Sequence, residues 1–158
     1  MARKLAFMGV FAALVAVGTM FLRIPGPTGY YHLGDGMIYT AAILGGPLVG
    51  GLVGAVGSAA ADMLGGYAVW APWTLIIKGA TGYVVGRLRG ATLKQNLLAM
   101  LAGAVITIAG YAAATAIMYT PAAVVVEIYG NIGQTASGVV VALAAVSLLK
   151  RSFPGRWA

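Results

Sequence analysis

Apolar residues in this chain form long runs broken by single charges. Uncharged stretches cover 5–22, 36–61, 63–77, 95–126 and 128–149. A helix needs about 20 apolar residues to cross a bilayer, fewer where the bilayer thins or the helix packs short. The stretch 36–86 would reach about 75 Å as helix, against about 90 Å for three full crossings and 30 Å for one, so three short or tilted helices are expected there. Gly45-Gly46-Pro47 is the expected turn between the first two, because glycine tolerates unusual backbone angles and proline suits the first turn of the following helix. Gly65-Gly66-Tyr67 to Pro72 is the next turn. The last pair is expected at 97–119 and 131–149, with Thr120, Pro121 and Glu127 in the loop between them. The pattern gives six helices in a single transmembrane domain, 1–158, with no internal repeat to support an inverted-repeat transporter.

Composition strengthens the membrane reading. Hydrophobic residues make up 61% and charged residues 8% of the 158, with a mean hydropathy of +0.93, which excludes an ordinary soluble domain. The 24 glycines favour close helix contacts, and the absence of short alternating segments argues for an all-α bundle over a barrel. The net charge of +7 raises the question of nucleic acid, but the bases stand at the ends of apolar runs and act as topology signals. Arg3 and Lys4, then Arg87, Arg89 and Lys94, then Lys150, Arg151 and Arg156 place three segments in the cytoplasm by the positive-inside rule. Both termini are therefore expected inside, with a long outer loop near 23–35 between helices 1 and 2. The first apolar run imitates a secretory signal, but its length and the spans that follow mark it as an uncleaved helix. With no cysteine and one histidine, neither a thiolate nor a zinc site is expected, and no cofactor is implied.

The remaining ionisable groups then fall on one side. His32 and Asp35 are expected at the outer mouth of helix 2, Asp62 near the outer end of helix 3, Lys78 in the outer half of helix 4, and Glu127 in the last outer loop. Charges near lipid are expensive and mark candidate functional positions. Helix 5 adds Thr107, Tyr111, Thr115 and Tyr119 at four-residue spacing, and helix 6 opens with Asn131 and Gln134. The expected outcome is an outward polar pocket with flat walls from Tyr30, Tyr31, Tyr67, Trp70 and Trp73. Each residue also has a simpler role. The aromatics suit an interfacial belt, Asp62 and Lys78 suit a mutually neutralising pair, and the amides suit bridges between helices. On helix 1, Gly9/Ala13 and Ala12/Ala16 are two small-xxx-small registers, fit for packing inside the bundle or for docking a partner.

Tyr31-His-Leu-Gly-Asp35, Ala41-Ala-Ile-Leu-Gly-Gly-Pro47, Gly54-Ala-Val-Gly-Ser58, Asp62-Met-Leu-Gly-Gly-Tyr67, Ala71-Pro72, Ile77-Lys78-Gly79 and Gly130-Asn131-Ile132-Gly133-Gln134 together resemble the substrate-binding S components of energy-coupling factor (ECF) vitamin transporters. The resemblance covers nearly the whole chain. It implies a multi-pass protein of the prokaryotic cell membrane with an external vitamin pocket beneath the loop joining helices 1 and 2. It also implies a helix 1 surface that meets a transmembrane T component, with two cytoplasmic ATPases supplying energy. The chain has no G-x-x-x-x-G-K-[ST] phosphate loop of its own.

The leading expectation is capture of a water-soluble vitamin or precursor by Tyr31, His32, Asp35, Asp62, Tyr67, Trp70, Lys78, Tyr111, Glu127, Asn131 and Gln134. An aminopyrimidine of the thiamine-precursor type or a vitamin B6 type ring suits such neighbours, with riboflavin next. A small intramembrane enzyme using Asp35, Asp62 or His32 as acid or base is a second class, without a nucleophile or metal motif to support it. A purely structural membrane subunit is the third.

Overall fold

The computed structural model describes residues 2–26 and 28–153; Arg156, one of the expected cytoplasmic bases, lies outside them. Six helices and one short hairpin make up the described residues. In chain order they are α1 (Ala2–Phe21), β1 (Arg23–Pro25), β2 (Tyr30–His32), α2 (Asp35–Gly45), α3 (Pro47–Leu64), α4 (Ala71–Leu88), α5 (Leu93–Met118) and α6 (Pro121–Ser152). By length and composition α1, α3, α5 and α6 are long and apolar enough to cross a membrane. At ~1.5 Å per residue the 11 residues of α2 span only about 16 Å. The apolarity of α4 is diluted by Lys78 and Arg87.

Short as it is, α2 is the centre of the bundle. It touches α1, α3, α4 and α6, and only Met37 and Gly45 escape full burial. A helix apolar on every side is stable only when surrounded. One core cluster joins Tyr39, Ala42, Ile43 and Leu44 to Val85, Ala99, Met100, Ala142 and Val146; a second joins Ile38 and Ala41 to Phe11, Val15, Val49 and Val53. The break before α3 is one residue long. Gly46 takes φ of 88°, a left-handed angle that favours glycine, and Pro47 starts the next helix.

The packing of α3 on α4 is set by missing side chains. A Cβ on Gly50 would strike the Gly82 carbonyl, one on Gly82 would strike Gly50, and one on Gly54 would strike the Lys78 carbonyl. These glycines bring the backbones together and fix the height at which Lys78 enters the core.

Two features depart from the sequence expectations. The segment between α1 and α2 contains an antiparallel hairpin, with Arg23 opposite His32, Ile24 opposite Tyr31 and Pro25 opposite Tyr30. The last helix begins at Pro121, so Glu127 is inside α6 rather than in a loop. Thr120 caps that helix through the Ala123 N–H, and proline at the first position needs no hydrogen-bond partner there.

Candidate ligand site

The ends of α3, α5 and the starts of α4 and α6 meet beneath the hairpin around a small cavity of about 30 Å³. Its wall is formed by Gly29, Tyr30, His32, Asp62, Trp70, Thr74, Tyr111, Glu127, Asn131 and Gln134. Seven of the eleven residues expected to bind ligand are in this wall. The other four, Tyr31, Asp35, Tyr67 and Lys78, stand behind or beside it.

Lys78 is the largest revision. The sequence offered Asp62 as its partner, but its ammonium bonds Asp35 at 2.6 Å, and both side chains are fully buried. Sequence separation hid this pairing, because Asp35 opens α2 and Lys78 lies midway along α4. The second Asp35 oxygen accepts from Gln134 Nε2 at 3.0 Å, while Gln134 Oε1 accepts from the His32 backbone N–H at 3.0 Å. The ion pair is thus tied through Gln134 to the hairpin. Lys78 also stands 5.2 Å from the centre of the Tyr111 ring.

His32 is held neutral. Its Nδ1 accepts the Gly34 N–H at 3.1 Å, so the ring proton is on Nε2, and Thr19 of α1 lies 3.3 Å from the same nitrogen. Burial pushes its pKa from the ordinary 6.5 down to about 4, with Asp35 opposing that shift. Alternation along β2 puts Tyr30 on the same side as His32. The Tyr30 hydroxyl donates to Asp62 Oδ1 at 2.6 Å, and burial together with the Asp62 carboxylate holds that phenol protonated. Tyr31 turns the other way, with its ring lying directly on Gly130 of α6.

The two acids of the wall differ in what they hold. Glu127 accepts from Thr28 Oγ1 and from Asn131 Nδ2, each at 2.7 Å, so both oxygens are engaged. Asp62 uses one oxygen for Tyr30; its Oδ2 is buried with no hydrogen-bond partner. A buried acceptor left open costs on the order of 1–3 kcal/mol, which a bound donor would recover.

Aromatic residues close the remaining side. The Trp70 indole N–H donates to the Thr28 carbonyl at 2.9 Å, and its ring lies 5.8 Å from Tyr111 and 5.8 Å from Tyr119, stacked on the latter. Tyr111 donates to Thr74 at 3.0 Å. Tyr67 meets Tyr30 edge-on at 4.6 Å from outside the wall, with Arg23 above both rings. Of the helix 5 series, Thr107, Tyr111 and Thr115 are buried along one face, while Tyr119 follows the helix end and is exposed. Thr74 and Thr28 escaped the sequence reading. Thr74 had a usable signal, one turn before Lys78 on the same face of α4.

The small residues of α1 also separate. Gly9 and Ala13 are exposed, with open space where a Gly9 Cβ would go. Ala12 and Ala16 are half-buried, and the Ala12 carbonyl lies against Gly57 of α3.

The family model for the S component of an ECF-type riboflavin transporter matches residues 1–151. The chain belongs to this family. Relatives agree in extent: a Pyrococcus woesei protein described as uncharacterised, in the gap 3′ region, is 41% identical over 141 residues, covering 87% of this chain and 95% of its own. A UPF0397 protein of Streptococcus pneumoniae is 31% identical over 160 residues, covering 93% of this chain and 87% of its own. As an ECF S component, the protein is a membrane-embedded, substrate-binding subunit of a vitamin transporter.

Proposed function

We propose that this S component captures a water-soluble vitamin or vitamin precursor from outside the cell in the cavity beneath the hairpin. It then delivers the ligand with a transmembrane T component and two cytoplasmic ATPases. The observation that carries this reading is the wall itself, where the rings of Trp70, Tyr111 and Tyr30 stand among the hydrogen-bonding side chains of Asp62, Glu127, Asn131 and Gln134. All six helices cross the bilayer in this reading, with short α2 held by its neighbours, the hairpin outside and both termini in the cytoplasm. The bases at 87–94 and near both termini support that orientation.

Within the wall, Trp70 and Tyr111 flank the ring of the ligand, and Asp62, Glu127, Asn131 and Gln134 orient its polar edge. Asp35 and Lys78 hold Gln134 and the hairpin in place without touching ligand. The family description names riboflavin. At about 30 Å³ the cavity has room for little more than a water molecule, so its side chains must move apart to admit a ligand, and the single ring of an aminopyrimidine or a vitamin B6 type compound asks least of that movement. Gly9 and Ala13 form the docking register for the T component, because the other pair is turned toward α3.

Mass spectrometry of gently purified protein tests the assignment. A co-purifying vitamin, released by Trp70→Ala and restored by Trp70→Phe, is the expected result. Protein that binds no vitamin, alone or with its transport partners, overturns it.

A further inference from the structure

We propose that the site selects a cationic nitrogen heterocycle whose positive charge is shared by Asp62 and Glu127. This rests on the cavity being the ligand site and adds the charge of what it takes. Two carboxylates line the cavity, and among the described residues its wall contains no lysine or arginine. The nearby bases are engaged elsewhere: Lys78 is paired with Asp35 at 2.6 Å, and Arg23 lies over the outer rings of Tyr30 and Tyr67 at 5.2 and 5.7 Å. His32 brings no charge, since its Nδ1 is an acceptor for the Gly34 N–H.

The two acids are built differently, and both designs fit a cation. Glu127 is fixed by donors on both oxygens, from Thr28 and Asn131. Asp62 is only 5% exposed, and its Oδ2 makes no hydrogen bond within 3.5 Å, with the Thr74 hydroxyl close to the carboxylate in the same wall. Ionised carboxylates in such surroundings are costly unless a compensating charge arrives. The Trp70 and Tyr111 ring faces favour the same sign, because an aromatic face attracts cations. A neutral tricyclic vitamin supplies hydrogen-bond donors but leaves both acids without a counter-charge.

Titration of purified protein with thiamine, whose thiazolium is permanently positive, and with neutral riboflavin decides between these charge classes. Thiamine is expected to bind at least a hundredfold more tightly. Asp62→Asn and Glu127→Gln are each expected to weaken thiamine at least tenfold while changing riboflavin less than threefold. Thermal midpoints identify any variant that fails to fold, and the wild-type comparison then stands alone. Tighter binding of riboflavin, or thiamine affinity within twofold of wild type in folded Asp62→Asn, overturns the proposal. If riboflavin binds more tightly than thiamine and Trp70→Ala abolishes that binding, the charge assignment fails and the vitamin site survives. If neither compound nor pyridoxamine binds wild-type protein, both fail.

Discussion

At Asp35 and Lys78 the energetic question is how two fully buried charges are tolerated. Removing one partner strands the other, whereas removing both strands neither. Lys78→Met is therefore expected to lower stability by about 3–5 kcal/mol, and Asp35→Asn by a comparable amount. The double variant should recover more than half of the summed loss, since asparagine still accepts from Gln134. Thermal unfolding of the four proteins measures the coupling; additive losses would mean that the pair is not a unit. His32 makes a second prediction, on pH. Its neutral form is favoured in the folded protein, so the folded state resists a proton that the unfolded chain accepts below about 6.5. Stability is full above pH 6.5 and falls by about 1.4 kcal/mol per unit between 6.5 and 4. Below about 4 both states are protonated and the loss levels off. The difference between wild type and His32→Gln in that window isolates this residue from the carboxylates.

Among the elements, the hairpin depends on one absent side chain. A Cβ at position 130 would enter the Tyr31 ring, while one at Gly133, a turn away on the same helix, meets nothing within 4 Å. Gly130→Ala is expected to lift the hairpin and weaken ligand binding at least tenfold. Gly133→Ala should leave affinity unchanged and, as a helix-interior glycine replaced, raise stability by about 0.5–1 kcal/mol. Equal affinities in the two variants would separate the hairpin from the site. The hairpin also marks the limit of what the sequence makes legible. The breaks at Gly46 and after Gly65 are written in glycine and proline, and the structure turns there. Strands of three residues carry no readable alternation, and these are held by tertiary contacts, with Gly18 and Thr19 of α1 against Gly34 and His32. The start of α6 was misread for another reason. Glu127 resembles a loop charge, but the Thr120-Pro121 cap already announces a helix, and Asn131 one turn later satisfies the carboxylate. Partner choice was the least accessible: one-sidedness gathers Asp35, Asp62 and Lys78, but only packing decides which acid the lysine meets.

For the whole molecule, the ligand wall and the free face of α1 lie on one chain of contacts. Gln134 lines the cavity and accepts from the His32 N–H, the His32 ring meets Thr19 of α1, and ten residues before Thr19 is exposed Gly9. In the proposed reading, α1 supports the ligand cavity through Thr19 and offers a separate, exposed surface to the T component. Positions 9 and 13 are exposed, whereas position 12 is half-buried with its carbonyl against Gly57 of α3. Gly9→Leu and Ala13→Leu should leave vitamin affinity within twofold of wild type while reducing ATP-dependent uptake at least tenfold when reconstituted with the T component and ATPases. Ala12→Trp should instead lower the thermal midpoint and affinity together, because it parts α1 from α3 beside Gly57 and disturbs the helix that seats His32. Uptake unaffected in both exposed variants would move the docking surface off this stripe. Affinity lost with uptake would show that the stripe supports the cavity rather than a partner.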